Sequence, residues 1–477
     1  MMKRLRTLIV LCCLAAVVLT APPARAYSVL THEQLIDLSW EASIVPLLLS
    51  RYPTLTPAQI EHARAFAYGG CVIQDIGYYP FGDPVFSNLT HYVRSGDFIV
   101  NLFRNAGNAD ELAFAVGALS HYIGDTVGHA TATNLAVPVE FPKLKRRYGS
   151  SVNYAQGEHQ HVQTEFAFDI NEITHHRFAP VHYLRHVGLE VPTRQLALAF
   201  YQTYGLRDDF AARRGSRINV RGYRFAVRNF IPRIAYAVTV LHRKHEPVEI
   251  QDADQQKLEA EITAIATRND WDSYRKKPGI GTYSLAGLLY ILPKIGPIKL
   301  VAVKGPTQAT EQEYVHSVVR SSDELNRALH RFTPPPATVL TAHTAAAEDN
   351  PATPPRIDPL PESAAAAAPN PATDRQHPLA NRDLDTGVVV KPSGYRLTDE
   401  TYANLLQKLA ANPKVAVPPG IKEDILLYYA DLNLPFATKK DPQRWVALQQ
   451  NLQTLRTMPT STAPEPYATY DDPEPAK

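Results

Sequence analysis

An all-α fold follows from three observations on this 477-residue chain. Apolar residues recur at spacings of three and four from residue 27 to about residue 245, the period of a helix with one buried face. Period-two alternation, the mark of a half-buried strand, is scarce over the same stretch. Helix start signals also recur: Thr31 with Gln34, Thr56-Pro57 with Gln59, and Asn108 with Glu111 each set a capping residue three positions before a Glu or Gln.

Lys3, Arg4 and Arg6 precede an uncharged apolar run over residues 7–20, which ends near the small-x-small sequence Ala24-Arg25-Ala26. This pattern predicts a signal peptide over residues 1–26, export to the periplasm or medium, and Tyr27 as the first mature residue. The run is about 14 residues, short of the roughly 20 that a spanning helix needs. Cys12 and Cys13 leave with the signal, so Cys71 remains alone and no intrachain disulfide forms. Stability then comes from a core or from metal. A formal net charge of +2 gives no electrostatic case for nucleic acid.

The helical pattern defines a main domain over residues 27–245. Residues 246–333 form a helical extension with amphipathic helices expected over 255–267 and 310–331. Between them lies "GTYSLAGLLYILPKIGPIKLVAV", which Pro293, Gly296 and Pro297 prevent from crossing a bilayer as one helix. This stretch either packs on the first domain or touches a membrane surface. Residues 334–394 are rich in Pro, Ala and Thr and read as a disordered linker. A small helical module follows over 395–458, with helices expected over 398–411, 421–432 and 442–455, and then a disordered acidic tail over 459–477.

The chemistry sits in "ELAFAVGALSHYIGDTVGHA", where His121, Asp125 and His129 are spaced by four. Four residues advance a helix by only about 40° beyond a full turn, so all three side chains share one face. Burying Asp125 among apolar neighbours without a positive partner costs several kcal/mol, and a metal ion supplies that partner. The segment "GEHQHVQTEFAFDINE" puts His161 and Glu165 at the same spacing, with His159 as an alternative imidazole. Imidazole plus carboxylate is the usual zinc donor set where thiolates are lacking. Asp75 and His91 are further candidates upstream, whereas His175, His176, His182 and His186 read as structural or surface residues.

The order Asp75, His91, His121, Asp125, His129, His161, Glu165 resembles the zinc-dependent phospholipase C family, whose superfamily includes single-strand-specific zinc nucleases. The resemblance covers roughly residues 27–185. It implies that the free mature N-terminus is itself a zinc ligand, joined by a nearby histidine; here Tyr27 is followed by His32 in "YSVLTHE". The family's usual Trp is Tyr27 here, and ligation through backbone atoms tolerates that change. A cleaved α-amine with a pKa near 8 coordinates through nitrogen, which an internal amide cannot do.

By the same resemblance one zinc takes the Tyr27 amine and carbonyl, His32 and Asp125. A second takes Asp75, His91, His121 and a shared oxygen of Asp125, and a third takes His129, His161 and Glu165. Two or three Zn2+ ions are therefore expected, in an all-α phospholipase C-like domain acting as a phosphodiesterase. Asp75 is the candidate base for the attacking water, since a carboxylate bound through one oxygen leaves the other free. A phospholipid or membrane surface is the expected partner. The alternatives are a single-strand nuclease or nucleotidase, and a non-catalytic cell-envelope binding protein on the same fold. Tyr78, Tyr79, Phe81 and Phe86 suit either lipid contact or base stacking, and the basic run "KLKRRYG" suits either anionic headgroups or nucleic acid.

Overall fold

The computed structural model describes residues 28–79, 82–207, 214–242, 252–277, 279–291, 305–332 and 379–461. The expected signal peptide, Tyr27, Phe81, most of the Pro/Ala-rich stretch and residues 462–477 lie outside the described residues. No β-strand occurs among the described residues, which hold only two isolated bridges, Arg382 with Val389 and Val417 with Thr460. The fold is all-α, as the periodicity predicts.

The helices that build and surround the site are α1 (Val29–Ser39), α2 (Pro57–Gly70), α3 (Pro84–Tyr92), α4 (Ser95–Arg104), α5 (Ala109–Gly128) and α6 (Glu158–Thr174). They are followed by α7 (Thr193–Tyr204), α8 (Ile231–His242), α9 (Ala253–Arg268), α10 (Ile280–Ile291) and α11 (Gln308–Phe332). The last three are α12 (Arg396–Ala410), α13 (Pro419–Tyr428) and α14 (Pro442–Thr457).

Helix α5 is the axis of the molecule. It is apolar around most of its circumference and buried along nearly all of its length, so α1, α2, α4 and α11 all pack against it. Its start is set by Asn108, whose side chain accepts from the Glu111 N–H, while Glu111 reaches back to the Gly107 N–H. The Thr56–Gln59 capping box forms as expected. The Thr31–Gln34 box does not. Helix α1 starts three residues earlier, with Ser28 at the cap position, and the Thr31 hydroxyl instead bonds Asp169 at 3.0 Å and Tyr314 at 2.9 Å. A buried tertiary carboxylate outcompetes the local cap.

One core runs through stretches that composition separates. Leu258 and Ile262 of α9, Tyr314, Val315 and Val318 of α11, and Leu405, Ile421 and Leu452 of the C-terminal helices belong to the same buried cluster as α5. The expected disordered linker over 334–394 needs correction at its end: residues 379–394 are described, and Leu379, Leu384 and Asp385 are buried against the first domain. The Pro and Ala content averaged over the stretch hid "LANRDLD", which carries its own apolar anchors. The expected tail also begins later, because the Val417 N–H donates to the Pro459 carbonyl at 2.9 Å. Helix α10 lays Ala286 and Leu289 on α8, leaving Ile280, Tyr283, Tyr290 and Ile291 exposed. No helix among the described residues is long and apolar enough to cross a membrane.

Candidate metal centre

Six elements deliver the candidate ligands to one interior region. His32 comes from the middle of α1, Asp75 from the 3-10 turn Ile73–Tyr78 after α2, and His91 from the last turn of α3. His121 and Asp125 share a face of α5; His129 opens the π-helical turn His129–Thr133 that follows; His161 and Glu165 lie on α6. All of these side chains are buried. Space for the His32 ring comes from Gly124, where an added Cβ would sit 3.3 Å from the ring's Nδ1 and Cε1.

The eight side chains fall into three groups: His32, His121 and Asp125; Asp75, His91 and His121; and His129, His161 and Glu165. Asp125 joins the first two groups. Its Oδ1 lies 3.2 Å from His32 Nε2, while its Oδ2 lies 3.2 Å from His121 Nε2 and 3.5 Å from His91 Nε2. Asp75 Oδ1 approaches His91 Nε2 at 3.3 Å. In the third group Glu165 Oε1 lies 3.1 Å from His161 Nε2 and 3.3 Å from His129 Nε2. For zinc–ligand distances of about 2.0–2.1 Å the edge of a tetrahedron is about 3.3 Å, so these separations fit ligands around an ion.

Hydrogen bonds outside the cluster fix which nitrogen faces in. His91 Nδ1 meets the Ser87 carbonyl at 2.8 Å, His121 Nδ1 the Cys71 carbonyl at 3.0 Å, and His129 Nδ1 the Leu384 carbonyl at 2.7 Å. A carbonyl only accepts, so each Nδ1 carries the proton and each Nε2 turns a lone pair inward. Among the described residues, His91 Nε2, His121 Nε2, both Asp125 oxygens, His161 Nε2 and Glu165 Oε1 take no hydrogen bond. Leaving that many buried polar atoms unsatisfied costs about 1–3 kcal/mol apiece. A divalent ion held by these groups would satisfy them together, and the donor set is one that zinc accepts.

The electrostatics agree. Burial alone would lower His91 and His129, but Asp125 and Asp75 raise the first to about 10, and Asp125 and Glu165 raise the second to about 10. Burial lowers His121 and raises Asp75. Asp125 is held well below the usual carboxylate range because His121 and His129 outweigh its burial. The acids thus draw protons onto the histidines when no cation competes. Raised folded values for two histidines add stability to the zinc-free protein that is complete below their unfolded pKa near 6.5 and is lost as pH rises through about 10. Zinc-bound nitrogens carry no proton and lose nothing over that window. The gain in Tm on adding zinc is therefore expected to grow between about pH 6.5 and about pH 9. Calorimetry with zinc and with chelator checks this, and a gain that shrinks over the range contradicts it.

Residues 31–210 match the family model for zinc dependent phospholipase C. Over this part, somewhat more than a third of its length, the chain is similar to that family. Neither the curated proteins nor the solved structures yield a match to the chain. All eight described side chains expected as ligands lie inside the matched phospholipase C residues and converge there.

Other expectations sort by position. His161 joins the third group and His159 is exposed. His175, His176, His182 and His186 stand outside all three groups. Tyr78 and Tyr79 are buried, and Phe86 stacks on Phe200 with ring centroids 4.9 Å apart, so these rings pack rather than present a face. The basic run forms the short helix Pro142–Tyr148 with Lys143, Lys145, Arg146 and Arg147 exposed. The carbonyls of Ser87, Cys71 and Leu384, which orient the rings, were not foreseen. A backbone carbonyl leaves no mark in a residue pattern.

Proposed function

We propose that this protein is a zinc-dependent phosphodiesterase that cleaves phospholipids in the manner of a phospholipase C, with three zinc ions held by the three groups. The observation that carries the reading is Asp125, whose two oxygens face histidines from three helices. When bound, the zinc ions supply positive charge that acidifies water and offsets charge on the phosphate oxygens. The chain's own residues do the rest. The carbonyl-bound rings of His91, His121 and His129 keep the donor geometry fixed before substrate arrives. Asp75, raised by burial, accepts the proton of the attacking water through the oxygen that ligation leaves free.

Phospholipid is favoured over single-stranded nucleic acid for two reasons. A nuclease needs exposed aromatic faces for stacking, and Tyr78, Tyr79 and Phe86 are packed inside. A lipase needs contact with an apolar surface, and α10 offers Ile280, Tyr283, Tyr290 and Ile291 next to exposed Lys276 and Lys277. Turnover of phosphatidylcholine vesicles and of single-stranded DNA, run in parallel on zinc-loaded protein, decides between them. Lipid cleavage with intact DNA is expected, and the reverse would transfer the reading to a nuclease. Zinc binding without turnover of either would favour the non-catalytic envelope protein.

The amino-terminal segment supports an exported enzyme with Tyr27 as its first residue. Ser28 and Thr31 both donate to the Asp169 carboxylate, one helical turn beyond Glu165 on α6, which anchors the chain beside Tyr27 to a ligand-bearing helix. A protein carrying one extra residue before Tyr27 is expected to lose roughly tenfold to a hundredfold in affinity for one zinc ion, the scale of a misplaced supporting ligand group. Chelator competition measures it. Unchanged affinity and turnover would remove the amine from the ligand set.

A further inference from the structure

The phospholipase C match ends at residue 210, yet one of the three ring-orienting carbonyls comes from Leu384. The geometry points to residues 379–395 as a strap that belongs to the metal centre, with Leu384 the positioning residue that aims His129 at the third ion. This inference rests on the zinc reading above and goes beyond it, because it assigns part of the centre to a stretch that the family model does not cover.

The contrast among the three histidines carries the argument. His91 finds its carbonyl four residues back on its own helix, and His121 finds one at the end of the neighbouring α2. His129 sits where α5 gives way to a π-helical turn, and its Nδ1 reaches a carbonyl 255 residues away, at 2.7 Å. The N–H of Leu384 donates to the His91 carbonyl at 3.1 Å. One buried peptide segment therefore ties together the end of α3 and the end of α5, each of which contributes to a different group.

The strap is held along its length by polar contacts to the same helices. The Tyr122 hydroxyl donates to the Ala380 carbonyl at 2.7 Å, and the Asn134 side chain donates to the Asp385 carbonyl at 2.8 Å. Asp385 is buried, and its Oδ2 accepts from the Tyr92 hydroxyl at 2.9 Å and from the Tyr395 hydroxyl at 2.6 Å. Gly387 closes the turn with φ of 70°, and a Cβ there would stand 2.5 Å from the Thr126 carbonyl of α5. Only glycine fits both the left-handed backbone and the close approach. None of these contacts involves a member of the three groups; they place the Leu384 carbonyl. Groups that orient a ligand in this way typically govern 10- to 100-fold of metal affinity.

The test uses the full-length zinc-loaded protein and four chains: wild type, Asp385→Ala, Asp385→Asn and Gly387→Ala. Zinc per chain after dialysis against a graded chelator is measured beside the melting temperature. Asp385→Ala removes the acceptor for both tyrosines, and Gly387→Ala pushes the turn off α5. Each is expected to loosen one ion by about 10- to 100-fold while the other two stay as tight as in wild type. Asp385→Asn keeps an oxygen acceptor and is expected to restore the third ion. If wild type itself fails to hold three ions, the zinc reading falls first. If wild type holds three and both disruptive variants hold them as tightly, or if every ion loosens together with or without loss of fold, the strap has no specific hold on His129 and the inference is overturned.

Discussion

The Asp125→Asn protein is expected to hydrolyse phosphodiesters slower by a factor on the order of a thousand, about 4 kcal/mol in the barrier, and to keep only the ion of the third group. Asp125 is the one acid whose oxygens serve two groups, at 3.2 Å from His32 and from His121 and 3.5 Å from His91. An amide of the same shape carries no charge, and its nitrogen presents hydrogens where a lone pair is required. Both ions next to it lose their shared donor, whereas His129, His161 and Glu165 keep theirs. Metal analysis and turnover together check the result. Full activity with three ions would mean that Asp125 bridges nothing.

Asp75→Asn is expected to separate binding from chemistry. The amide oxygen still offers a lone pair toward the ion near His91, but the group no longer accepts a proton at neutral pH. General bases contribute roughly 10²- to 10⁴-fold, so kcat should fall by that much while zinc content stays near the wild-type value. Activity retained with all zinc bound would reject the base role. Loss of an ion along with activity would show that the carboxylate acts chiefly as a ligand.

The site was legible where its logic is helical. Spacing alone aligned His121 and Asp125 on a face of α5 with His129 one step on, at the start of the π-helical turn, and His161 with Glu165 repeats the step on α6. The step from Asp125 to His129 is enough to hand one helix face from one metal group to the next, because a turn of rise carries His129 toward α6. Asp75 and His91 have no such periodicity, since one lies in a 3-10 turn and the other at a helix end. Their spacing marked them only weakly, and the resemblance gave them their place in the ligand set.

What stayed hidden depends on long-range contacts. Thr31 satisfies every local rule for a cap and spends its hydroxyl on Asp169, 138 residues away. The end of the Pro/Ala-rich stretch looked like linker because disorder is inferred from average composition, while packing is decided by a few residues such as Leu379 and Leu384. Both are buried, and Leu384 bonds through its backbone to His91 and His129, more than 200 residues earlier in the chain.

The most direct test is the zinc content of the chain that begins at Tyr27, measured together with its turnover of a chromogenic phosphorylcholine ester before and after chelation. About three ions per chain are expected, with hydrolysis lost on chelation and regained on adding zinc. Hydrolysis that continues in zinc-free protein, or a purified chain that takes up no zinc at all, would contradict a catalytic metal centre built on His32, Asp75, His91, His121, Asp125, His129, His161 and Glu165.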